Sequence, residues 1–131
     1  MTTDDGFEAL AGYDGYEFVF EQGYWAKFEF RRLDGTVPGL AHAYRYSITL
    51  HAPSGKRLMG FDNAHPIDRK SGRLRRRSAS ADHWHRDASD RGRPYDFVSP
   101  AQLLEDFFRE ASRVLADLGV PTDPIDTRRA K

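Results

Sequence analysis

Cysteine is absent from the chain. Its absence excludes disulfides, thiolate nucleophiles and every zinc site built on thiolates. Long apolar runs are missing too. No stretch approaches the roughly 18 apolar residues of a membrane span, so no membrane partner is expected. The N-terminal stretch Met1 to Glu8 is acidic and has no apolar core, unlike a secretory signal, and a cytoplasmic location is the expectation. No glycine-rich phosphate motif and no internal repeat is present. The overall charge is also missing: 20 basic residues balance 20 acidic ones.

What is present is local. Six basic residues (Arg69, Lys70, Arg73, Arg75, Arg76 and Arg77) fall in nine positions with no acid among them, whereas Asp4, Asp5, Glu8 and Asp14 lie in the first fifteen residues with no base. Aromatic residues make up 13% of the 131 positions, with nine Phe and six Tyr. They supply large buried area per residue, which suits a thin core in one domain of ordinary size.

Alternation marks the strands. Tyr16, Phe18 and Phe20 alternate with Glu17, Val19 and Glu21. After a Gln-Gly turn, Tyr24, Ala26, Phe28 and Phe30 alternate with Trp25, Lys27, Glu29 and Arg31. The third strand is the clearest, with Tyr44, Tyr46, Ile48 and Leu50 on one face and Arg45, Ser47, Thr49 and His51 on the other. Pro53-Ser54-Gly55 then turns the chain into a short fourth strand from Arg57 to Phe61. Residues 62–94 read as irregular.

Residues 99–119 carry a helix pattern. Ser99 fits the N-cap, Pro100 the first position and Gln102 the reciprocal capping position, with Val98 and Leu103 placed as a hydrophobic staple. Leu104, Phe107, Phe108, Ala111, Val114, Leu115 and Leu118 form an apolar stripe at helical spacing, and Gly119 with Pro121 supplies the stop. Such a helix is about 28 Å long. The expected fold is therefore α+β: an antiparallel β-sheet of about four to five strands packed against one long C-terminal amphipathic helix. Residues 1–15 are read as a flexible arm, 16–119 as one domain with a basic loop at 66–81, and 120–131 as a flexible tail.

The chemistry sits between the fourth strand and the helix. His65 closes Asp62-Asn63-Ala64-His65, and His83 and His85 flank Trp84 in Asp82-His83-Trp84-His85. If 82–86 is extended, His83 and His85 share a face, and Asp82, Trp84 and Arg86 share the other. Imidazole titrates near neutral pH, so His83 and His85, supported by His65, suit acid–base work on a phosphodiester. Asp62 and Asp82 are the carboxylates placed to orient them. Arg45, Arg86 and the basic loop (Arg73, Arg75, Arg76, Arg77) supply cations for phosphate, and Trp84 a ring on which a base could stack. The same histidines also read as braces for a loop or partner contacts, or, less readily, as metal ligands, with His83 and His85 first. No cofactor is expected, with a divalent metal as the alternative. RNA, or a protein bound without catalysis, is the partner these features suit. Oligomeric state is not encoded in any of these patterns.

The order of these segments resembles a known family. Tyr44-Arg45-Tyr46-Ser47-Ile48-Thr49-Leu50-His51 leads into Gly60-Phe61-Asp62-Asn63-Ala64-His65, then Asp82-His83-Trp84-His85, Pro94-Tyr95-Asp96-Phe97 and Leu103-Leu104-Glu105-Asp106-Phe107. Over roughly residues 40–118 this is similar to the TumE family, small proteins classed as toxins of type II toxin–antitoxin systems. The resemblance implies a growth-inhibiting bacterial protein and a cognate antitoxin, usually with a helix-turn-helix DNA-binding domain. His65, His83 and His85 are the histidines that match the family pattern. Together with the residue chemistry, this gives the expectation of a toxin acting on RNA, as a ribonuclease, through a His-rich site beside a basic loop. The alternatives are a non-enzymatic binding module and a metal-dependent hydrolase.

Overall fold

The computed structural model describes residues 10–32, 44–63 and 82–129. The four strands expected from alternation are present as β1 (Tyr16–Val19), β2 (Trp25–Arg32), β3 (Tyr44–His51) and β4 (Arg57–Asp62). Three more join them: β5 (His83–His85), β6 (Arg93–Pro94) and β7 (Asp126–Arg129). They form one sheet in the order β6-β5-β4-β3-β2-β1-β7, and every pairing is antiparallel. The class is thus α+β as expected, with seven strands in place of four to five. The extra strands are short, and polar edges and partner register define them more than any apolar pattern.

One helix, α1 (Pro100–Asp117), covers one face of the sheet. Ser99 caps it by accepting a bond from the Gln102 amide at 3.1 Å. Its C-terminus is a Schellman stop: Val120 N–H donates to Leu115 O at 2.8 Å and Gly119 N–H to Ala116 O at 3.0 Å, with Gly119 at φ +77°. Two details differ from the sequence reading. Val98 is 69% exposed, so it staples nothing, and the Gln102 side chain donates forward to Asp106 at 2.9 Å instead of back to the cap. The buried stripe is centred on Leu103, Phe107, Ala111 and Leu115, one residue round from the expected centre, and Leu118 is half exposed.

The core lies between α1 and the sheet. Phe107 meets Phe28 edge-on at 5.4 Å between ring centres, and Phe108 meets Phe18 at 5.7 Å. Ala26, Phe28, Ile48, Leu50 and Met59 are fully buried beneath. Alternation sends the side chains between these, on β2, β3 and β4, to the opposite face, which no element among the described residues covers. Both ends of the described chain pack against the rest of the fold. Leu10 is buried in the core, and Phe30 N–H donates to Asp14 Oδ1 at 2.8 Å. β7 pairs with β1 along Tyr16–Val19, where Arg128 reaches Glu17 at 3.0 Å.

Candidate functional site

β5 lies beside β4 with Asp62 opposite His83 and Gly60 opposite His85. That register puts all three side chains of interest on the uncovered face. His83 Nε2 lies 3.1 Å from Asp62 Oδ1, and His85 Nε2 lies 4.0 Å from Asp62 Oδ2. One ligand-type atom from each of the three residues falls within 4.8 Å of the others. The rings meet edge-on with centroids 5.3 Å apart. Both histidines are buried, at 6% and 7% exposure. Pairing alone explains the convergence: Asp62 faces His83 directly and His85 diagonally, and both imidazoles lean toward one carboxylate.

The His85 ring is fixed from behind. Its Nδ1 lies 2.9 Å from Asp90 O. A carbonyl only accepts, so Nδ1 carries the proton, and in the neutral ring the Nε2 lone pair faces Asp62. Asp90 is itself held in place. Its carboxylate accepts from Arg86 N–H at 2.8 Å, Gly92 N–H at 2.9 Å and the Arg93 guanidinium at 2.8 Å. Burial pushes the Asp90 carboxyl up, but these three donors together outweigh it and leave its pKa below the ordinary value. Gly92, at φ +123°, closes the loop over the imidazoles. A Cβ there would stand 3.2 Å from His85 Cε1 and 3.3 Å from His83 Cδ2. The sequence patterns do not single out Asp90 and Gly92. Their only mark there is an Asp-x-Gly turn five residues after a His-x-His strand.

The other expected residues divide by face. Asp82 lies on the side away from the imidazoles, where it accepts the Tyr46 hydroxyl at 2.7 Å in a buried bond. Burial, then the Asp82 charge, raises the Tyr46 pKa far above its ordinary value, so the hydroxyl is a permanent donor. Asp62 is therefore the carboxylate that the described structure brings to the histidines. Trp84 also faces the core, stacked on Phe61 at 5.2 Å with Arg93 over its ring at 5.6 Å. Arg86 follows on the exposed bend, where its carbonyl accepts from Arg113 at 2.9 Å and ties β5 to α1. Arg45 is on the uncovered face with the site. It lies two residues from Ser47, the partner of Asp62, and lines a pocket of about 400 Å³ with Asp14, Glu29, Arg31 and Ser47. His65, Arg73, Arg75, Arg76 and Arg77 lie outside the described residues.

His51, at the other end of β3, is fully engaged. It stacks under Trp25 at 4.3 Å, its Nδ1 donates to Gly55 O at 3.0 Å, and Thr49 Oγ1 lies 2.8 Å from Nε2. Burial lowers its pKa.

A sheet covered on one face by α1, carrying two histidines and an aspartate on the other, defines a small α+β protein with a compact polar centre. The family model described as Toxin TumE matches residues 2–115, and the chain belongs to that family of toxins. No curated protein and no solved structure matches the chain. No helix among the described residues is long and apolar enough to cross a membrane.

Proposed function

We propose that this toxin acts on RNA, that the sheet face away from α1 is the working surface, and that Asp62, His83 and His85 are the reactive centre. The observation that carries the reading is the convergence of two imidazoles on one carboxylate, on a sheet face that no helix among the described residues covers. Strand scission of RNA needs groups that move protons or activate an oxygen near pH 7, and imidazole is the side chain suited to that range. It also needs cations for the phosphates. Arg45 stands on the same face, and the six basic residues between Arg69 and Arg77 lie in the sequence that joins Asp62 to His83. The substrate meets the protein in the cytoplasm. A cognate antitoxin with a helix-turn-helix DNA-binding domain holds the toxin in check.

The test is induced expression in a bacterial host, scoring growth and total RNA, with wild type beside His83→Ala/His85→Ala. Growth arrest with RNA loss for wild type alone is the expected result. Equal arrest by a folded double variant would transfer the toxicity to binding, with the histidines reduced to loop braces.

A further inference from the structure

We propose that Asp62, His83 and His85 form a binding site for a divalent first-row transition ion, with His83 Nε2, His85 Nε2 and one Asp62 oxygen as its ligands. The inference deepens the RNA reading, since it supplies the chemistry of that same centre, but its evidence is independent of RNA.

Geometry separates this from bare acid–base catalysis. A phosphoryl transfer places the attacking and leaving oxygens in line on opposite sides of phosphorus. A base and an acid serving them have to reach two separated points. Here both imidazole nitrogens aim at a single point, the Asp62 carboxylate, and both rings are more than nine-tenths buried. Convergence on one point is what a cation demands. Ion bonds of about 2.0–2.2 Å set ligand-to-ligand edges of roughly 3.0–3.5 Å. The His83 Nε2–Asp62 Oδ1 separation of 3.1 Å already meets that, and the 4.0 Å from His85 Nε2 to Asp62 Oδ2 closes with a small turn of the carboxylate.

The surroundings are built for the same purpose. A ligating imidazole ordinarily donates its other ring N–H to a carbonyl or carboxylate, which fixes the tautomer. His85 does this through Nδ1 to Asp90 O, and the Asp90 side chain is in turn locked by three donors. Gly92 leaves both rings the space that a Cβ there would crowd. Two nitrogens and one oxygen favour a borderline ion such as Zn²⁺, Fe²⁺ or Mn²⁺ over Mg²⁺ or Ca²⁺, which prefer all-oxygen sites. Three protein ligands also leave coordination positions open for water, whose acidity the ion would raise.

The experiment is calorimetric titration of chelator-stripped, full-length protein with Zn²⁺, and separately with Mn²⁺, without RNA. One ion per chain is expected, along with a rise in melting temperature that chelator reverses. Asp62→Asn and His85→Gln each weaken binding at least tenfold, whereas His51→Gln, a histidine outside the site, leaves it unchanged. Wild-type protein that takes up neither ion overturns the proposal, whether or not the variants fold. Uptake equal in wild type and folded Asp62→Asn also overturns it. Growth arrest with RNA loss from a protein that binds no ion would leave the RNA reading standing and remove only the metal. An ion bound by a chain that leaves RNA intact would do the reverse.

Discussion

At Gly92 the backbone runs at φ +123°, and the two imidazoles lie 3.2–3.3 Å from where a Cβ would stand. Glycine is used there twice over, for a conformation that L residues avoid and for the space its missing side chain leaves. Gly92→Ala is expected to cost about 1–3 kcal/mol through backbone strain alone. It also pushes the rings apart. Urea unfolding measures the first effect, and imidazole shifts in NMR spectra of the folded variant measure the second. A variant as stable as wild type, with unmoved ring signals, would show that the loop relaxes freely around the pair. At this scale the site is partly legible from residue types and spacing. The His-x-His spacing correctly places two imidazoles on one side of a strand. Alternation along the strand already turns Asp82 away from the imidazoles, where it meets Tyr46, but that Asp62 is their partner is not legible, because it depends on the register of β4 on β5. Asp90 and Gly92 stay hidden for a similar reason: a turn reads the same whether or not it closes over a site.

Among the elements, α1 is the one whose ends are best specified. Ser99 supplies the N-terminal cap and Gly119 the C-terminal stop. Ser99→Ala is expected to lower stability by about 1 kcal/mol, visible as a shifted denaturant midpoint with unchanged slope. No measurable shift would mean that Pro100 and the packing of Leu103 fix the start of the helix without the cap. The helix carries one polar residue in its buried stripe. Asp106 is 9% exposed and accepts from the Tyr95 hydroxyl, from Gln102 at 2.9 Å and from Arg109 at 2.9 Å. These partners explain how a carboxylate fits where the apolar pattern leaves a gap. Strands β1 to β3 are legible because each alternates for four residues or more, and β4 because the Pro53-Ser54-Gly55 turn returns the chain beside β3. β5, β6 and β7 are not: they have three, two and four residues, and β7 is exposed throughout. An edge already formed recruits such segments by backbone pairing, and little in their own composition announces it.

Across the whole molecule, the carboxylates set an acid limit. Asp90 and Asp106 both titrate below the ordinary carboxylate value in the folded chain, because donors outweigh the upward push of burial. A group whose folded pKa is depressed adds stability above its unfolded value, near pH 4, and that stability is lost as pH falls through the folded value. His51 has the same sign: burial lowers its pKa from 6.5, so the folded state resists its protonation. Stability is therefore expected to decline gently below about pH 6.5 and more steeply below about pH 4. Thermal melts across that range test it, and Asp90→Asn flattens the lower step. A melting temperature constant from pH 7 to pH 3 would contradict both carboxylate assignments.

Tyr46 has a consequence at the same scale. Its backbone N–H bonds Asn63 Oδ1 at 2.9 Å, its carbonyl accepts from Asn63 N–H at 3.2 Å, and its hydroxyl holds Asp82 at 2.7 Å. One residue of the central strand thus pins the chain immediately before position 64 and immediately after position 81. The two anchors act as a clasp on the ends of that stretch. Closure entropy rises by only about 0.6 kcal/mol for each doubling of such a span. The clasp therefore keeps Asp62 and His83 in register at a closure cost that depends little on how many residues the sequence spends between them.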